Sequence, residues 1–361
     1  MPAGCSDPDR SGPLIMQPRS VLVAAETWFG STTFGISQGF RRLGWEVYEA
    51  NTREWIPQYS SRLLRAARRL LTPLAARDYN TALRSRIDQL KPTALVTIKG
   101  LYLERATLEH AARAGVKTLN YYPDVQFQHG GLDLSTFASY DRIFTTKPFH
   151  IGWLSRAIGR DTVAYLPHGY SPDVHRPLID TSVEQSVDVV YIGVYTPYKE
   201  RWLGALQAAA PEISIAIYGD LWLENVGTRS LRSCVRGHGV FGEAYRRAIA
   251  DARICLAIHA GPCEPSGWED CVSTRTFEIP ACGGFMLHID NEEARALFTQ
   301  GEEFDVFANE AEMIARVLHY LPRPDLRQQM ASRAHARAVP AYSYDARVAV
   351  MSQWIETAAA A

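Results

Sequence analysis

The residues best suited to chemistry lie in Glu269-Asp270-Cys271-Val272-Ser273-Thr274-Arg275-Thr276-Phe277-Glu278-Ile279-Pro280-Ala281-Cys282-Gly283-Gly284-Phe285. Ser273 or Thr274 can cap a short helix that ends at Gly283, just before a strand over Phe285–Ile289. A helix N-terminus offers unpaired N–H groups and the positive end of a dipole, which suits a diphosphate. The Arg275 guanidinium could add charge-assisted bonds to the same phosphates. One turn further on, the Glu278 carboxylate stands where it can accept two hydrogen bonds from a ribose diol. The bland alternative is a capped helix with Glu278 on a solvated face. Pro280 has no N–H, and a regular helix is not expected to pass it.

Two alternating series of strands and helices must position this segment. In the first, Ser20–Ala25, Trp45–Tyr48, Ala94–Ile98, Lys117–Tyr122, Asp141–Thr146 and Thr162–Leu166 read as strands. Ser20–Ala25 and Ala94–Ile98 are short continuous apolar runs, which suit buried parallel strands covered on both faces. The Gly30–Thr33 loop leads into a helical pattern that stops at Gly44, and a second helix is expected near Glu104–Ala114. Between about 167 and 186 the periodicity lapses around Pro167, Gly169, Pro172 and Pro177, which marks a connection. The second series has strands over Val187–Ile192, Ile213–Tyr218, Ile254–Ile258 and Phe285–Ile289, followed by a largely helical tail from Ala311 to Ala361. The expected fold is α/β, with two Rossmann-like, doubly wound units facing a central cleft. Ligands in such units sit beyond the carboxyl ends of the strands.

Asp270 and Glu278, separated by seven residues, with Glu278 ahead of Ala281-Cys282-Gly283, give this stretch its most specific likeness. It resembles the donor-binding signature of GT-B fold glycosyltransferases, and Ser273-x-Arg275-x-Phe277-Glu278-Ile279-Pro280-Ala281-Cys282-Gly283 is similar to the CgeB-like (spore-maturation) group. The similarity continues through Leu297-Phe298, Gly301-Glu302-Glu303, Tyr342-Ser343-Tyr344 and Arg347. It extends backwards through Asp188-Val189-Val190-Tyr191-Ile192-Gly193, Tyr195 and Lys199-Glu200-Arg201, then Ile217-Tyr218-Gly219 and Gly239-Val240-Phe241 with Tyr245. The connection Leu166-Pro167-His168-Gly169-Tyr170 is also similar. The likeness covers roughly 165–350 in detail and 19–164 by topology. Ala257 departs from it, standing where the group commonly has Asn.

The resemblance implies sugar transfer from a nucleotide-diphosphate-sugar donor to a hydroxyl or amine acceptor. Donor-binding residues would be Gly193, Lys199, Arg201, Tyr218, Gly219, Val240, Ser273, Thr274, Arg275 and Glu278. The catalytic candidates are Asp124, His129 and Asp270. Asp124 follows the strand Lys117–Tyr122 and reads equally as a general base or as a loop cap. Tyr121, Tyr122, Trp222 and Trp268 could stack on a sugar or base, or pack in the core. The implied division is a tail over 1–18, an acceptor-binding unit over 19–166, a linker over 167–186, a nucleotide-sugar unit over 187–340 and a terminal helix over 341–361 that can pack back on the first unit. An epimerase or hydrolase of nucleotide-sugars, or a non-catalytic binding protein, would use the same architecture.

Composition excludes other classes. Of 361 residues, 47% are hydrophobic and 21% charged, which is globular rather than disordered. Lys plus Arg number 38 against 39 Asp plus Glu, so no global charge draws the chain to nucleic acid. The Gly30–Thr33 loop lacks G-x-G-x-x-G, which disfavours a nicotinamide dinucleotide. No D-x-D pair, His/carboxylate triad or C-x-x-C pair stands out, so neither a metal nor a cofactor is expected. The cysteines read as small core residues in a reducing cytoplasm. No run of about 18 apolar residues exists to span a membrane. From Arg62 to Leu74, a leucine stripe flanked by Arg62, Arg65, Arg68 and Arg69 reads as a domain helix, with contact to anionic lipid as the minority reading.

Overall fold

The computed structural model describes residues 19–56, 62–127, 131–179, 185–264 and 266–360, and over 62–70 the backbone alone. In the first unit the strands are β1 (Ser20–Ala25), β2 (Glu46–Asn51), β3 (Ala94–Ile98), β4 (Lys117–Tyr122), β5 (Arg142–Thr145) and β6 (Val163–Tyr165). They pair in the order β2-β1-β3-β4-β5-β6, every pair parallel. Between them run α1 (Thr32–Arg42), α2 (Arg62–Leu90), α3 (Arg105–Arg113) and α4 (Pro148–Ile158). The second unit holds β7 (Val187–Ile192), β8 (Ile215–Tyr218), β9 (Val235–Gly237), β10 (Ala252–Ala257), β11 (Met286–Ile289) and β12 (Asp305–Phe307). Its order is β12-β11-β10-β7-β8-β9, again all parallel. Its helices are α5 (Pro197–Ala209), α6 (Trp222–Asn225), α7 (Arg229–Arg232), α8 (Gly242–Ala250), α9 (Thr274–Ala281), α10 (Glu292–Leu297), α11 (Glu310–Tyr320) and α12 (Pro324–Ala341).

Central strands are buried along their whole length, as β1 and β3 are, because helices cover both faces of each sheet. Each sheet therefore has two apolar layers. One layer of the first unit gathers Val21, Val23, Phe40 and Leu119, and the opposite one Leu22, Leu95, Leu108 and Tyr122. Four features differ from the sequence expectation. β9 and β12 are three-residue edge strands too short to show a pattern. The helix begun at Arg62 runs on to Leu90 through Pro73. Helix α9 also passes its proline: Pro280 lies in the last turn, where the lost N–H would have reached only Thr276. The amides of Cys282, Gly283 and Gly284 still close on the carbonyls of Glu278, Pro280 and Ile279 at 3.0 Å each. Gly283 sits at φ +79°, the left-handed turn that ends a helix. Finally, Tyr121, Tyr122 and Trp222 are fully buried, so none can stack on a ligand.

The chain crosses between the units twice. The outward path runs through Tyr170, the return through Ser343, and the two pair as a parallel bridge. Tyr170 donates to the Tyr342 carbonyl at 3.1 Å, and Tyr344 donates to the Tyr170 carbonyl at 2.8 Å. The last helix, α13 (Tyr344–Ala360), then lies against α1 and fills the first unit's core with Val348, Met351 and Ile355. That contact needs glycine on α1: a Cβ at Gly35 would stand 2.3 Å from the Tyr344 ring, and one at Gly39 2.9 Å from Val348. Arg347 of α13 donates to the carbonyls of Pro167 and His168, pinning the outward crossing to the returning helix.

Candidate functional site

The carboxyl ends of the two sheets face each other across a cleft. On the second unit's side a cavity of 310 Å³ is lined by Gly193, Gly219, Val240, Phe241, Arg275 and Glu278, and by Trp28, Ser31 and Thr32 from the first unit. On the first unit's side a cavity of 230 Å³ is lined by Glu26, Thr33, Lys99, Asp124 and His168. Trp28, Ser31, Thr32 and Thr274 border both, so the two cavities meet.

Backbone glycines shape the second-unit cavity. A Cβ on Gly219 would lie 2.0 Å from the Gly193 carbonyl oxygen, so β7 and β8 can end side by side only with glycine there. A Cβ on Gly193 would lie 2.4 Å from the Arg275 guanidinium. The space is occupied instead by Arg275, docked on the ends of two strands. Its Nε donates to the Ile192 carbonyl at 2.6 Å and its Nη1 to the Ile258 carbonyl at 3.0 Å. The guanidinium also lies over the Tyr191 ring, 5.2 Å from its centroid. Two edges of the fork are thus committed to backbone, and Nη2 stands beside Gly193 at the cavity wall. Ser273 caps α9, its backbone N–H donating to the Thr276 hydroxyl at 3.4 Å. Thr274 and Arg275 of this first turn line the cavity, and a helix N-terminus carries N–H groups without intrahelical partners and the positive end of the dipole. Glu278 sits one turn on, 3.6 Å from His175. Burial lowers the His175 pKa, so a neutral ring faces the carboxylate.

Lys199 is buried and donates to the Val194 carbonyl at 2.9 Å. Desolvation, reinforced by Arg275, pushes its ammonium down to about 7. Arg201 turns the other way. It pairs with Glu310 at 2.7 Å and stacks on Tyr198, on the outer face of α5. Lys199 itself lines neither cavity; its partner Val194 lines the second unit's. Two positions on one helix are about 200° apart, so both cannot face one ligand. Tyr218 packs into the second unit's apolar layer rather than the cavity wall, while Val240 lines the cavity.

Of the catalytic candidates, Asp124 lies in the first-unit cavity with its carboxylate 2.7 Å from the Lys99 ammonium. Lys99 adopts φ +65°, a strained backbone for a non-glycine residue and one that concentrates at functional sites. Asp270 is taken by Lys147, which reaches across from the first unit and also donates to the Val272 carbonyl at 2.8 Å. Lys147 is 1% exposed, a buried cation whose carboxylate partner belongs to the other unit. His129 lies outside the described residues, and so do the side chains of Arg62–Arg69. Trp268 packs edge-on to Trp153 and His150 in an aromatic cluster apart from both cavities.

Lys147, His259 and His288 belong to no motif in the sequence. All three stand at the carboxyl ends of parallel strands or on them, which is the signal that could have singled them out. Among the described residues no group of three or more His, Cys, Asp or Glu is placed to hold a metal ion, and no helix is long and apolar enough to cross a membrane.

No curated protein matches the chain in sequence. Solved structures do match in shape. Sucrose-phosphate synthase from Thermosynechococcus elongatus superposes with a TM-score of 0.66 at 13% identity, over 94% of this chain and 98% of that one. A glycosyltransferase from Rickettsia africae gives 0.67 at 11% identity, over 94% and 98%. HepE from Anabaena, crystallised with UDP, gives 0.63 at 10% identity, over 94% and 100%. The protein therefore has the GT-B fold, and residues 198–353, most of the second unit and part of α13, match a sequence family described as glycosyl transferase-like.

Proposed function

We propose that this protein is a glycosyltransferase of the CgeB-like group, moving a sugar from a nucleoside-diphosphate-sugar to a hydroxyl or amine acceptor. The observation that carries the reading is the cavity where Arg275, with Nη2 free of the strand carbonyls, meets the first turn of α9 and the Glu278 carboxylate. The diphosphate would lie on the α9 amides and Arg275, the ribose diol on Glu278, and the base towards Val240 and Phe241. Charge on the departing diphosphate would be met by Arg275, Lys199 and the helix end, so no divalent ion is required for that task. The second unit would hold the donor over 187–340 and the first the acceptor over 19–166, with Asp124 accepting the acceptor's proton as the bond to the sugar forms. Asp270, held by Lys147, would border the sugar.

The glycosyl transferase-like match over 198–353 supports this reading. So do neighbours of the same fold: HepE has been crystallised with UDP-glucose, and TarM from S. aureus with UDP and α-GlcNAc-glycerol. The described cysteines, all unpaired, suit a cytoplasmic setting. The test is thermal unfolding against UDP, GDP, ADP, CDP and dTDP sugars, followed by product analysis with an acceptor pool. One nucleotide class should raise the melting temperature, and transfer should need an acceptor. Binding without turnover against any acceptor, or sugar epimerised or hydrolysed with donor alone, would refute the transferase reading.

A further inference from the structure

Beneath α9, two buried histidines touch through their Nε2 atoms at 2.9 Å: His259, just past the end of β10, and His288 on β11. Both are 2% exposed or less. The groups at either end of the pair dictate where its protons sit. At one end His288 Nδ1 lies 2.6 Å from the Ile289 carbonyl, which only accepts, so Nδ1 carries the hydrogen and Nε2 is bare. At the other end His259 Nδ1 lies 3.4 Å from Arg275 Nη1, which only donates, so Nδ1 is bare and Nε2 carries the hydrogen. The two ends are independent, yet they agree: His259 Nε2–H donates to His288 Nε2. The Thr276 hydroxyl, 3.0 Å from His288 Nε2, closes the cluster from α9.

We propose that His259 and His288 form a neutral two-imidazole relay, with fixed tautomers, that positions the Arg275 guanidinium for the donor diphosphate. The proposal rests on the reading that Arg275 meets that diphosphate. Within the relay the imidazoles act through Arg275, and neither lines the cavity. A further proton would break it. Protonating His259 would point Nδ1–H at the Arg275 N–H, and protonating His288 would point two N–H groups at each other. The surroundings oppose such a proton. Arg275, Lys147 and Lys199 bear on His259, while Arg275 and, in the favourable sense, Asp290 bear on His288. Burial is the largest influence on both rings. It holds His259 well below the usual histidine value and His288 at about 4.

Two measurements test the relay on the full chain. In histidine 15N spectra, assigned by the His259→Gln and His288→Gln variants, His259 should appear as the Nε2–H tautomer and His288 as the Nδ1–H tautomer from pH 6 to 8. Opposite tautomers, or a charged ring in that range, would overturn the proposal whether or not the protein transfers sugar. The second measurement is a double-mutant cycle on nucleotide affinity. His259→Leu removes the acceptor facing Arg275 and should weaken nucleotide binding about tenfold. His259→Asn keeps an oxygen there and should recover part of the loss. In an Arg275→Ala background His259→Leu should do nothing further. An equal loss in both backgrounds would show a purely structural role. Nucleotide binding unchanged by Arg275→Ala would instead refute the functional reading and leave the tautomer result standing. Should His259→Leu fail to fold, the Asn variant and the spectra still decide.

Discussion

The two cavities of the cleft are built on opposite plans. The second unit's cavity is fixed by backbone: Gly193 and Gly219 bring strand ends into contact, and Arg275 is bolted to the carbonyls of Ile192 and Ile258. The first unit's cavity is lined at strand ends and loops by side chains, among them a half-buried ion pair between Lys99 and Asp124 on a strained turn. A rigid wall suits a ligand part that never varies, as a diphosphate does. An adjustable one suits a partner group that differs between related enzymes.

The contrast can be broken by substitutions, the severest first. Gly219→Ala forces a Cβ against the Gly193 carbonyl, which also accepts the Trp222 indole N–H at 2.8 Å. A stability loss of about 3 kcal/mol in urea unfolding is expected, with nucleotide binding abolished. Arg275→Ala should lower kcat/KM about a hundredfold while the fold persists, because it strips a preorganised donor from the departing diphosphate. Asp124→Asn should cut kcat by about the same factor and leave nucleotide affinity alone, which separates the two walls kinetically. Glu278→Ala should raise the donor KM about tenfold with little change in kcat.

A subtler test is pH. Below about 7 Lys199 is protonated and above it the ammonium is lost; under the proposed function that charge would attract the diphosphate. Donor affinity should therefore fall as pH rises through neutrality, and the inflection in the complex should lie higher because the bound anion favours the cation. Lys199→Met should flatten the profile. If the profile is unchanged in Lys199→Met, the lysine does not sense the donor.

What could be read from sequence follows from how local each feature is. The buried parallel strands announce themselves as apolar runs such as Val21-Leu22-Val23, and α9 keeps its cap, its arginine and its carboxylate within six residues. Lys147 could not be found this way, since its partner Asp270 lies 123 positions on. His259 and His288 each look solitary until the sheet sets β10 beside β11. The resemblance implies a donor role for Arg201 as for Lys199, but helical geometry separates the two, and Arg201 pairs with Glu310 instead. Pro280 does not break α9, because in the last turn its missing N–H forfeits only one helical bond.

The paired crossings at Tyr170 and Ser343 have a consequence for motion. Because the chain returns to the first unit through α13, cutting the linker alone would not separate the halves; the first would keep α13, which belongs to the other fragment. Any opening of the cleft must swing about the place where the two strands are stitched together, as a door turns on one jamb. Lys147 with Asp270, and Tyr165 with Glu293, are then among the bolts that such a swing has to draw.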